Sequence, residues 1–250
     1  EKYNVAKSYI LYREKRTQMR NDRLELVKLI GDEELEDVLV DIQKTYPDYD
    51  LKRLYEKFST MSKEGQSLKD RITLLTRSSA ELTTKEEPNW ERIAGRLLSY
   101  SIASDLRATE EKLGLTSFYQ KISYMIEQGL YGAYILENYS HKEVDEIATL
   151  IDNTRNNLFT YSGLDLLSQR YLIRSHQHVL LESPQEMYIG IAMHLAMKET
   201  NNRIGWVKKF YDMMSLHKVT MATPTQANAR KPYHQLSSCF IDTVPDSLDG

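Results

Sequence analysis

Two short runs in this chain carry nearly all the local chemistry that starts an α-helix. Ser183-Pro184-Gln185-Glu186 offers a hydroxyl to cap free backbone N–H groups, a proline where a missing N–H costs nothing, and a glutamate able to reach back to the cap. Ser140-x-x-Glu143 repeats the cap and its reciprocal acid, and Ser67-x-x-Asp70 resembles the same device. Apolar residues at three- and four-residue spacing follow each run. A chain written this way is constrained to fold mainly as helices that pack stripe against stripe.

The stripes can be followed along the chain. Residues 3–30 show helical spacing, with Val5, Tyr9 and Tyr12 on one stripe and Leu26, Leu29 and Ile30 on a later one. Residues 33–44 form a further amphipathic stretch. Pro47-Asp48-Tyr49-Asp50 breaks it and can cap a helix carrying Leu51, Leu54, Tyr55 and Phe58. Residues 59–67, with Gly65 and several hydroxyls, read as a linker. Leu68, Ile72 and Leu75 come next. Glu87-Pro88 then opens a helix with Trp90, Ile93, Ala94, Leu97 and Leu98. Phe118, Ile122, Met125 and Ile126 run to Gly129, and Val144, Ile147, Ala148 and Ile151 follow Ser140. The helix opened by Ser183 reaches about Met197, and Trp206, Phe210, Met213 and Met214 mark the last long one. These aromatic and methionine stripes are predicted core.

Two regions look extended. Tyr171–Arg174 and Val179–Leu181 flank Ser175-His176-Gln177-His178, which predicts a short β-hairpin. His176-x-His178 has no third ligand nearby in sequence, so it reads as a solvated turn and no metal is expected in this chain. The second extended region is 236–243.

Composition narrows the partners. The 250 residues are 41% hydrophobic and 28% charged, with a net charge of −3, so no global field draws the chain to nucleic acid or an anionic membrane. No apolar run approaches the ~20 residues that span a bilayer. One cysteine cannot close an internal disulfide, which makes a reducing cytoplasm the expected compartment. Arg13, Lys15, Arg16, Arg20 and Arg23 form a basic set on the first helix; it either meets phosphates or is a solvated face. The chain also reads as a piece of a longer polypeptide. It starts on Glu1 inside a helical pattern and stops at Gly250, just after a strand-like segment with no later partner.

That one cysteine, Cys239, sits in Ser237-Ser238-Cys239-Phe240 at the start of the second extended region. A thiol flanked by small hydroxyls suits chemistry, and it equally suits a buried structural position. Upstream lies Thr223-Pro224-Thr225 and downstream Asp246-Ser247-Leu248-Asp249.

In the order and spacing of these three elements the chain resembles the large, catalytic (α) subunit of class I ribonucleotide reductase. The segments Glu182–Met187, Lys209–Asp212, Phe159–Ser162 and Glu86–Leu97 resemble the family's N-terminal helical domain. The likeness covers residues from about 68 onward. More weakly, residues 1–23 resemble the closing helix of an ATP-cone regulatory module.

The resemblance implies an organisation. Residues 1–30 would be the tail of a truncated ATP cone, 31–67 a helical linker region, 68–218 the N-terminal helical domain, and 219–250 the start of a ten-stranded α/β barrel. It also implies a chemistry, the replacement of a ribose 2′-hydroxyl by hydrogen through a thiyl radical and a cysteine pair. Cys239 would be the first thiol of that pair. Thr223 and Ser238 would contact a nucleoside diphosphate. Asp246, Ser247 and Leu248 would contact an ATP or dNTP allosteric effector. The implied partners are a second α chain, a radical-generating β subunit holding the metal, and a thioredoxin- or glutaredoxin-like reductant. The radical cysteine and the second redox thiol are absent from these 250 residues, which alone would be inactive. Two other readings remain open at this stage: a cobalamin-dependent class II reductase, and a helical nucleotide-binding regulatory module with a structural Cys239.

Overall fold

A computed structural model describes residues 2–239 and 241. Among them the chain is mainly helical, with twelve α-helices, one 3-10 helix over Asn153–Leu158 and one isolated β-bridge. The chain divides into two compact units. The first holds residues up to 105 together with 156–166, and the second holds 106–155 and residues from 167 on.

In the first unit, α1 (Lys2–Ile30) ends where Gly31 takes a left-handed φ of 74° and returns its N–H to the Val27 carbonyl. Three shorter helices follow: α2 (Leu35–Thr45), α3 (Leu51–Met61) and α4 (Leu68–Ala80). Asp50 caps α3 by accepting from the Lys52 N–H, and Ser67 caps α4 by accepting from the Asp70 N–H. Leu26, Ile30, Leu39, Leu54, Phe58 and Leu75 meet in a core closed by Trp90, Ile93 and Leu97 of α5 (Trp90–Leu113). A Cβ at Gly95 would stand 2.8 Å from the Phe159 carbonyl, so glycine here admits the close approach of 159–161 to α5.

One predicted core stripe is not core. Val5, Tyr9 and Tyr12 are all more than half exposed. Residues 5–18 of α1 lie in solvent along their whole length, and burial begins only near Met19, where α2 to α4 pack. The spacing makes the helix, but no described element covers that stretch.

In the second unit, α6 (Phe118–Glu127), α7 (Tyr134–Asn138) and α8 (His141–Ala148) lead toward α10 (Pro184–Ala196) and α11 (Arg203–Ser215), which pack closely together; α9 (Tyr161–Arg170) straddles the division between the units. Both predicted capping boxes are present, Ser140 with Glu143 and Ser183 with Glu186. α10 is buried almost all round, including Met187, Ile189, Ile191 and Met193. Glu186 has a second task. With Glu110 it holds the buried Lys121 ammonium. Burial pulls the Lys121 pKa down, and the two carboxylates outweigh it, so the net shift is upward.

α11 buries Val207, Tyr211 and Met214. Trp206 and Met213, predicted as core, are exposed. Trp206 instead lies against Phe210 and under the Lys209 ammonium. The predicted hairpin shrinks to one antiparallel bridge, Arg174 with Leu180, closed by His178 at a φ of 63°. Of the predicted 236–243 extension, residues 236–239 and 241 adopt no strand, and the rest lies outside the described residues.

Candidate functional site

Thr223 opens the short helix α12 (Thr223–Asn228), with Pro224 in its first turn where the lost N–H is harmless. The Thr223 hydroxyl is exposed and lies 3.4 Å from the Tyr171 hydroxyl. After α12 the chain turns back on itself. The Asn228 side-chain amide donates to the Gln235 carbonyl at 2.9 Å, and Gln235 Oε1 accepts from the Ser237 N–H. The turn delivers Ser238 and Cys239 to solvent. Cys239 is a free, exposed thiol with the Ser238 hydroxyl 3.8 Å from its sulfur. An exposed sulfur is open to the in-line approach that thiol–disulfide exchange requires. Ser238 and Cys239 therefore stand together, while no hydrogen bond joins either to Thr223. Asp246, Ser247 and Leu248 lie outside the described residues.

Behind this surface segment is a buried ionic clamp. Arg230 is fully buried and meets the equally buried Glu182 in a two-pronged ion pair. Two more of its five N–H groups donate to the carbonyls of Gln226 and Tyr171, each at 2.8 Å, and Glu182 also accepts from the Ile173 N–H. The clamp thereby ties the end of α12 to residues 171–173. Burial lowers the guanidinium pKa, and the Glu182 charge more than reverses this, so Arg230 stays charged.

A second anchor acts one residue earlier. The Tyr134 hydroxyl donates to the Ala229 carbonyl and lies 2.9 Å from His194 Nδ1. Tyr134 has one proton to give, so the His194 bond requires the tautomer with hydrogen on Nδ1. Burial, helped by nearby His234, pushes the His194 pKa down to about 4, so this ring is neutral near pH 7. The His234 ring packs at a tilt against both Tyr134 and His194. The chain is thus anchored at Ala229, Arg230 and the His234 ring, and the thiol is carried on its exposed continuation.

Thr223, Ser238 and Cys239 were legible as a motif. Arg230, Glu182, Tyr134 and His194 were not: Glu182 lies 48 positions before Arg230 and no local pattern pairs them. The one available signal was Glu182 standing directly before the Ser183 cap. Among the described residues, no group of three or more potential metal ligands comes together, and His176 contacts the Gln128 carbonyl.

Comparison with known proteins bears on what this arrangement belongs to. Residues 157–234 match the family model described as ribonucleotide reductase, all-alpha domain. The whole chain is 50% identical to a ribonucleoside-diphosphate reductase subunit alpha of Treponema pallidum. The chain belongs to the ribonucleoside-diphosphate reductase alpha-subunit family. A phage T4 alpha subunit is 30% identical over 78% of the chain, and an Escherichia coli alpha subunit 29% identical over 75%. The chain spans only 30% of the Treponema reductase subunit and 26% and 24% of the other two. The all-alpha reductase domain thus takes in Thr223, Arg230 and His194, and Cys239 follows just beyond its matched edge.

Proposed function

We propose that this chain is part of a class I ribonucleoside-diphosphate reductase large subunit and that Cys239 is one of its two reducing thiols. The observation that carries the reading is an exposed, unpaired Cys239 in a chain that is half identical to a reductase alpha subunit along its whole length. The reaction is balanced as follows. The ribose C2′–OH bond breaks and the oxygen leaves as water. Two thiols become one disulfide, giving up two electrons and two hydrogens, one to C2′ and one to the water. A thiyl radical elsewhere in the full subunit takes the 3′-hydrogen and returns it. Cys239 supplies one of the two thiols, and its partner comes from later in the polypeptide.

Thr223 and Ser238 would bind the nucleoside diphosphate. A small hydroxyl donates to a phosphate or sugar oxygen without holding the thiol away from C2′. Asp246, Ser247 and Leu248 would meet the allosteric nucleotide. Residues past Cys239 would enter the α/β barrel, and the 250 residues alone would not turn over. The partners would be a second alpha chain, a β subunit that generates the radical, and a thioredoxin- or glutaredoxin-like dithiol in the cytoplasm. Among the described residues, no helix is long and apolar enough to cross a membrane.

The test is Cys239→Ser in the full-length subunit, assayed with a β subunit and a dithiol reductant. Loss of multiple turnover, with nucleotide affinity kept, is the expected result. Normal turnover would make Cys239 a structural residue and defeat the reading.

A further inference from the structure

The Arg230 guanidinium grips two stretches of backbone, and each carries a surface hydroxyl. One Nη donates to the Gln226 carbonyl in α12 and the other to the Tyr171 carbonyl, each at 2.8 Å. Thr223 opens that helix, and its exposed hydroxyl lies 3.4 Å from the hydroxyl of the half-buried Tyr171. One buried cation therefore sets the gap between these two side chains. Each side of the gap is braced a second time. The Tyr171 N–H donates to the Leu167 carbonyl at 3.0 Å. The Gln226 side-chain amide donates to the Met221 carbonyl at 2.6 Å, and Thr225 is buried. Among the described residues, the Tyr171 hydroxyl is the one hydrogen-bond partner of the Thr223 hydroxyl. No local pattern joins the two, which stand 52 positions apart.

The direction of that bond decides what Thr223 can do. A threonine hydroxyl has one proton to give and two lone pairs to accept with. If the proton goes to Tyr171, none is left for a phosphate or sugar oxygen. A phenol is a stronger acid than an aliphatic alcohol, so tyrosine is the better donor of the two. With Tyr171 donating, the Thr223 proton is free for an incoming oxygen, and the bond Thr223 accepts strengthens the one it gives. The 3.4 Å contact is longer than the roughly 2.7–2.8 Å of a full hydroxyl–hydroxyl bond, and contacts of this kind tighten once substrate is bound.

We propose that Tyr171 is a positioning residue for substrate binding: its hydroxyl orients the Thr223 hydroxyl so that Thr223 donates to the nucleoside diphosphate. Tyr171 acts through Thr223 and touches no substrate atom itself. The inference rests on the reading of Thr223 as a substrate contact given above, and it is independent of the role of Cys239.

The test is steady-state CDP reduction by the full-length subunit with a β subunit and a dithiol reductant, for Tyr171→Phe, Thr223→Val and the double variant. Tyr171→Phe keeps the ring and the backbone grip of Arg230 and removes only the hydroxyl, so the fold is kept, and the far-UV spectrum checks this. The expected result for Tyr171→Phe is a KM for CDP raised about three- to tenfold, the worth of one hydrogen bond, at unchanged kcat. Thr223→Val should raise KM further, and the double variant should be no worse than Thr223→Val, because the tyrosine then has nothing left to orient. A merely structural role would not give that non-additivity. If Thr223→Val raises KM while Tyr171→Phe leaves it unchanged or lowers kcat instead, the inference is overturned and the reading of Thr223 stands. Effects that add would make Tyr171 a separate contact and also overturn it. If Thr223→Val leaves KM unchanged, the reading of Thr223 fails and takes this inference with it.

Discussion

Replacing Arg230 by methionine probes the buried clamp directly. The substitution removes four hydrogen bonds at once: two to Glu182 and one each to the carbonyls of Gln226 and Tyr171. It leaves the Glu182 carboxylate, only 1% exposed, without its counter-charge. Breaking a buried pair from one side costs about 3–5 kcal/mol. That is a large part of the roughly 5–15 kcal/mol that holds a domain folded. At roughly 2–4 °C per kcal/mol, the melting temperature should fall by about 6–20 °C. Urea denaturation followed by circular dichroism reads the loss. One further outcome is specific to the stranded charge. The double variant Arg230→Met/Glu182→Gln should recover the larger part of the loss, because the amide still accepts from Ile173 without carrying charge. A deficit below about 1 kcal/mol, or a double variant no better than the single one, would refute the reasoning, since a buried pair must cost more than that to break.

His194 makes a pH prediction. Its folded pKa of about 4 lies below the ordinary 6.5, so the unfolded chain binds the proton first; stability is full above 6.5 and falls as pH drops from there toward 4. His194→Gln should flatten the denaturation midpoint across that window, and an unchanged slope would place the titration elsewhere. Gly190→Ala would put a Cβ 2.3 Å from the Tyr131 hydroxyl and 3.0 Å from Arg230 Cδ, so overpacking should cost about 1–3 kcal/mol in the same urea assay.

Legibility followed the range of the interaction. The caps of α8 and α10 are written in four consecutive residues, and both formed as read. The left-handed turn at Gly129 after α6 is equally local. Stripes were less secure, because periodicity says that a helix has an apolar face but not what will cover it. Leu26 and Ile30 are buried in the core, while Tyr9, Tyr12 and Trp206 stay exposed. The hairpin is shorter than its pattern for a related reason: apolar residues suit a strand, but pairing across that turn stops at one bridge, Arg174 with Leu180, and its two flanking backbone hydrogen bonds.

The sequence by itself determined a helical protein, its helix starts and the Thr223, Ser238 and Cys239 motif, because caps, spacing and motifs act between residues a few positions apart. Tertiary structure alone decided that Arg230 closes on Glu182 and that Tyr134, backed by His194, holds residue 229. These pairings join residues tens of positions apart, and their strength comes from excluding water. Neither the separation nor the local dielectric exists until the helices have packed.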